Sequence, residues 1–75
     1  MKTKIIEYAV IYERGEINWS AYVPDLPGCV ACGDTLQETE KLIKEAIELC
    51  LEVLKEDGKP TPKPSTKVGQ VAVMI

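Results

Sequence analysis

Residues 4–13, KIIEYAVIYE, put β-branched and aromatic side chains on both parities, Ile6/Tyr8/Val10/Tyr12 and Ile5/Glu7/Ala9/Ile11. Two largely apolar faces predict a central strand. Arg14-Gly15-Glu16 offers a short turn. From Ile17 the chain then alternates Ile17/Trp19/Ala21/Val23 against Asn18/Ser20/Tyr22, the period of a half-buried strand paired as a hairpin with the first. Pro24 lacks a backbone donor and should end that ladder. Leu26-Pro27-Gly28-Cys29 places Pro and Gly where the second and third positions of a type II turn want them, and the chain reverses. Cys29-Val30-Ala31-Cys32 reads as a brief third strand, closed by Gly33-Asp34.

Thr35-Leu36-Gln37-Glu38 has the spacing of a capping box, in which the hydroxyl accepts from the fourth residue's amide and that residue's carboxylate reaches back. A helix of about 22 residues should follow, at about 1.5 Å per residue roughly 33 Å long. Its apolar stripe runs through Leu36, Thr39, Ile43, Ala46/Ile47, Cys50 and Val53/Leu54, widened by Leu42 and Leu49, and Gly58 supplies a left-handed stop. The helix's charged residues lie mostly opposite that stripe, as a solvated face or as an acidic surface that attracts a basic partner. Residues 59–67, KPTPKPSTK, cannot be helical and read as an extended connector. Residues 68–75, VGQVAVMI, read as a fourth strand.

The expected fold is therefore α+β, in the order β-β-β-α-β. A right-handed crossover brings strand 4 parallel to strand 1, for a sheet order of 3-2-1-4 with the helix on one face. The opposite face is left without a cover, and the last strand presents an apolar edge. Association through that face or edge follows, as a homodimer or tetramer.

Composition narrows the function. Seventy-five residues allow a single domain with a thin core, aliphatic because there is no Phe and only one Trp. Net charge is −3, with nine basic and twelve acidic side chains, which excludes a generally basic nucleic-acid-binding surface. No apolar run has the length to span a bilayer and the N-terminus lacks a cleavage site, so a cytoplasmic protein is expected.

Three cysteines invite a redox or metal reading of Cys29-x-x-Cys32. A thioredoxin-like pair sits at a helix N-terminus, whereas this helix begins three residues after Cys32. In an extended segment the two side chains point to opposite faces about 10 Å apart, beyond the reach of a disulfide. With no histidine, a zinc site lacks its fourth ligand, and Cys29, Cys32 and Cys50 read as small packing residues. The missing histidine also removes the usual general base. Glu7, Asp25 and Asp34 remain as carboxylates outside the helix. Strand 4 has no acid, so a two-metal nuclease centre is not assembled and no enzyme, metal or cofactor is expected.

Trp19-Ser20-Ala21-Tyr22-Val23, then Pro24-Asp25-Leu26-Pro27-Gly28-Cys29, Gly33-Asp34-Thr35-Leu36, and a long helix containing Glu45-Ala46-Ile47-Glu48 and ending at Glu56-Asp57-Gly58-Lys59-Pro60, form a pattern that spans residues 8–65. It resembles the HicB-like antitoxin family. The resemblance implies a truncated RNase H-like fold and a non-enzymatic function: binding and neutralising a small basic mRNA interferase, the HicA-like toxin, by protein contact. Many such relatives carry a C-terminal DNA-binding domain. This sequence stops at Ile75, so direct DNA binding by this chain is not expected. The turn fixed by two prolines suggests a partner-binding surface of Tyr22, Pro24, Asp25, Leu26 and Pro27, with Leu26 exposed. The second reading is an orphan oligomeric module of the same fold without a toxin.

Overall fold

The computed structural model describes residues 4–75. Three four-residue strands, β1 (Ile11–Arg14), β2 (Trp19–Tyr22) and β3 (Val30–Gly33), precede one helix, α1 (Leu36–Glu56). The sheet is antiparallel in the order β1-β2-β3, so the fold is α+β. β2, rather than β1, is the central strand. Ile11↔Tyr22 is the last rung of the first ladder, because at Val23 the chain leaves β2 for a turn. Residues 4–10 therefore have no partner on β2 and lie outside the sheet. Ile17, expected inside strand 2, sits 89% exposed in the hairpin loop, which Gly15 N–H closes on the Asn18 carbonyl at 2.7 Å.

Strand pairing sorts the side chains by face. Tyr12, Trp19, Ala21 and Ala31 share the side on which α1 packs, while Ile11, Tyr22, Val30 and Cys32 share the other. The core between sheet and helix is Ala21, Val23, Leu26, Cys29 and Ile43, with Tyr8, Val10, Tyr12, Ala46, Ile47, Cys50 and Leu51 partly buried around it. It is as thin as the chain length implies. The helix's inward stripe is Thr39, Ile43, Ala46/Ile47 and Cys50/Leu51. Leu49, expected to widen it, and Val53, expected within it, are 62% and 47% exposed, because the four-residue strands leave no sheet for them to cover.

Local chemistry sets both helix ends. Thr35 Oγ1 accepts from Glu38 N–H at 3.0 Å, and the Glu38 carboxylate accepts from Asp34 N–H at 3.2 Å, one residue earlier than in a strict capping box. At the other end Gly58, at φ +70°, donates to the Lys55 carbonyl and Lys59 donates to that of Leu54, the paired bonds of a Schellman motif. Gly33 is demanded by close approach. A Cβ there would lie 2.7 Å from Thr39 Oγ1 and 3.0 Å from Thr39 N, so only glycine lets β3 meet the first helical turn.

The expected fourth strand is not formed, and the order 3-2-1-4 reduces to β1-β2-β3. Residues 67–75 are all exposed and carry no ladder, so the outer edge of β1 is not paired among the described residues. The radius of gyration, 14.5 Å, exceeds the roughly 11 Å of a compact 75-residue domain, and the molecule measures 50 × 28 × 22 Å.

Candidate functional site: the uncovered sheet face and the proline turn

Residues 23–29, VPDLPGC, form two consecutive turns. Leu26 N–H donates to the Val23 carbonyl at 3.1 Å and Cys29 N–H to the Leu26 carbonyl at 3.0 Å, while Val23 N–H donates to the Cys29 carbonyl at 3.1 Å. Each turn has proline at its second position, where the ring's fixed φ fits. Gly28, at φ +83°, makes the second a type II turn, as its sequence predicts. The shared corners Val23, Leu26 and Cys29 are 1–3% exposed and point into the core.

That geometry corrects the expectation for Leu26. A single turn would have exposed it, but two turns sharing it as a corner bury it. Pro24 and Pro27 remain exposed, and Tyr22 is 41% exposed. Tyr22 stands opposite Val30, itself 63% exposed, on the sheet face that α1 does not cover, with Ile11 opposite Tyr22 on its other side. Ser20, Cys32 and Glu13 continue that face along the strands. Side chains paired across a sheet in this way form a continuous surface. Of the five residues expected at a partner surface, Tyr22, Pro24 and Pro27 are exposed, Asp25 is half-buried and Leu26 is buried.

Asp25 is half-buried and committed within the chain. Its Oδ1 accepts from the Ser65 and Thr66 hydroxyls at 3.0 and 2.8 Å, and its Oδ2 from their amides at 3.0 and 3.1 Å. The Ser65 and Thr66 amides, then the Thr66 hydroxyl, do most to hold its carboxyl at about 2, below the ordinary 3.8. Beside it the Tyr8 hydroxyl donates to the Pro62 carbonyl at 2.6 Å. Partial burial and the nearby Asp25 charge push the phenol's pKa up. Together these contacts clasp the connector to the turn. The sequence held one signal of the clasp, Ser65-Thr66 with four donors just beyond a proline-rich run, but not its partner.

The C-x-x-C pair is not brought together. Cys32 is exposed and Cys29 buried, and the Cys29 thiol instead meets that of Cys50 on α1. Burial first, then the hydrogen bond and charge interaction with Cys50, push Cys29 up to about 11, the condition of an unreactive packing thiol. Glu7 is exposed outside the sheet, and Asp34 is exposed just before the helix cap. Among the described residues no group of three or more His, Cys, Asp or Glu side chains is gathered to hold a metal ion. None of the described helices is long and apolar enough to cross a membrane.

Comparison with known proteins identifies the family. The family described as "HicB_like antitoxin of bacterial toxin-antitoxin system" matches residues 8–73, which include both turns, the sheet and the helix. The chain belongs to the HicB-like antitoxin family. It is 32% identical over 73 residues to Antitoxin HicB 2 of Photorhabdus laumondii, a match that covers 97% of this chain and 52% of that protein. A UPF0150 protein of Synechocystis is 34% identical over 73 residues, covering 96% of this chain and 92% of its own. A UPF0150 protein of Archaeoglobus fulgidus is 42% identical over 57 residues, with 72% and 83% covered. This HicB-like chain thus spans about half of the named antitoxin and nearly all of the cyanobacterial relative.

Proposed function

We propose that this HicB-like chain is a non-enzymatic antitoxin that neutralises a small, basic, HicA-like mRNA interferase by covering it. The observation that carries this reading is the uncovered sheet face, where Ile11, Tyr22 and Val30 lie side by side, with Pro24 and Pro27 exposed in the turns that follow β2. An exposed apolar surface on a rigid support loses little conformational freedom when a partner closes over it. The net charge of −3, with Glu13 on the same face, favours encounter with a basic RNA-binding protein over an acidic one. Family membership supports the class of partner. In this reading the chain acts in the cytoplasm, without DNA or membrane contact of its own.

The test is an RNA-cleavage assay with a small basic HicA-like protein. Near-stoichiometric protein should abolish cleavage, and Tyr22→Asp combined with Val30→Asp, both exposed in the free chain, should raise the amount required at least tenfold. Cleavage that continues under excess wild-type protein removes the reading. Inhibition unchanged by the double variant moves the contact off this face.

A further inference from the structure

Ser65 is an exposed hydroxyl that takes part in a long-range contact. Its Oγ donates to Asp25 Oδ1 at 3.0 Å, while its own amide and both donors of Thr66 serve the same carboxylate. Around it, residues 59–75 form no helix or strand, and prolines at 60, 62 and 64 favour an extended backbone leading into it. Lys63 and Lys67, both exposed, stand two residues before it and two after. Acidic side chains are absent from residues 58–75. The chain's other hydroxyls are placed differently: Ser20 lies within β2, Thr35 caps α1, Thr39 is buried and Thr66 is half-buried. Thr61 is exposed, but it makes none of the clasp's bonds.

We propose that Ser65 is a phosphorylation site for a serine kinase that selects basic flanks, and that its phosphate opens the clasp between the connector and the proline turn. An exposed, extended segment can enter a kinase cleft without the sheet or the helix having to unfold. Lysines on both sides of the target match a kinase whose substrate groove is acidic. In the transfer Ser65 Oγ attacks the γ-phosphorus of ATP. The new O–P bond forms as the bond to the bridging oxygen of ADP breaks, and the hydroxyl proton passes to the kinase's catalytic aspartate.

The geometry turns that modification into a switch. As an ester the Ser65 oxygen has no proton left to donate, and the phosphate adds about −1.5 to −2 charge at pH 7 beside the carboxylate that it used to serve. Asp25, held at about 2, is ionised there and repels it. All four bonds of the Ser65-Thr66 pair end on this one carboxylate, so displacing Ser65 loosens those of Thr66 with it. Pro62, which accepts the Tyr8 bond, lies three residues away on the same extended segment and is released next. Lys63 and Lys67 offer the displaced phosphate counter-charges within the connector. The inference is independent of the antitoxin reading, and its test contains no toxin.

At 75 residues the full chain can be made by chemical synthesis with phosphoserine at position 65. Amide exchange at neutral pH compares it with the unmodified chain and with Ser65→Ala, which removes the hydroxyl's bond alone. Protection of the Thr66 amide should fall at least tenfold below its value in Ser65→Ala, while the amides of α1 keep theirs, and the Asp25 carboxyl should titrate closer to 3.8 than in the unmodified chain. In a second arm the unmodified folded chain is incubated with MgATP and a purified serine kinase that selects lysine or arginine on both sides of its target, and mass spectrometry locates the phosphate. Ser65 should carry most of it, ahead of Thr61 and Thr66. Thr66 protection in the phosphorylated chain no lower than in Ser65→Ala, or phosphate absent from Ser65 after the kinase reaction, would overturn the proposal.

Discussion

Asp25 and Thr66, 41 residues apart, are joined by two hydrogen bonds to one carboxylate, the Thr66 hydroxyl at 2.8 Å and its amide at 3.1 Å. The adjacent Ser65 adds two more, so one aspartate carries the attachment of the whole connector to the proline turn. Because the native carboxyl is held at about 2 against an ordinary 3.8, its contribution is complete above the unfolded value and is lost as pH falls from 3.8 toward 2. Thermal melts of wild type and Asp25→Asn across that window should converge at the acid end. At neutral pH the variant should melt lower and its Ser65 and Thr66 amides should exchange faster with solvent.

Tyr8→Phe removes the second point of the clasp, the 2.6 Å bond to the Pro62 carbonyl, and retains the ring in the core's margin. One partly buried hydrogen bond contributes about 0.5–1.5 kcal/mol, and the variant should lose that much in urea denaturation with an unchanged slope. A loss near zero would mean that water replaces the tyrosine hydroxyl at no cost.

Gly33→Ala places a methyl group 2.7 Å from Thr39 Oγ1 and 3.0 Å from its backbone nitrogen. Thr39 is fully buried, with its hydroxyl donating to the Thr35 carbonyl at 2.7 Å, so it cannot swing aside without breaking the first turn. Overpacking of this kind costs about 1–3 kcal/mol. Calorimetry should show a melting point lower by about 4–8 °C per kcal/mol in a domain of this size.

The three cysteines should separate under a thiol-modifying reagent. Cys32 is exposed and should react first. Cys29, pushed from 9.0 to about 11 and 1% exposed, carries roughly a hundredfold less thiolate than an ordinary thiol and should react only on unfolding. Peptide mapping by mass spectrometry in native buffer and in denaturant gives the order. Rapid native modification of Cys29 would contradict its place in the core.

Features governed by neighbours in the chain were legible from residues alone. Thr35 and Glu38 announce the helix start, Gly58 its end, and Pro27-Gly28 a type II turn, because each rests on contacts within five residues. The signature around the proline turn was legible too, and with it the family. Strand lengths were overread. Residues 4–10 have strand composition, yet pairing stops at Ile11 because the opposite strand turns away at Val23. Leu26 was misplaced for a related reason, since its burial depends on two turns sharing one corner.

Sequence by itself determined the helix and its caps, the hairpin order and the proline reversal, which follow from local propensity and short-range hydrogen bonds, and its motifs carried the resemblance to the family. Tertiary structure alone decided that Asp25 faces Ser65 and Thr66 rather than solvent, that Cys29 meets Cys50 rather than Cys32, and that residues 68–75 stand off the single chain. Those outcomes depend on which distant groups arrive at the same place once the helix lies across the sheet. A residue type states what bonds it can make, and only the packed chain supplies the partner.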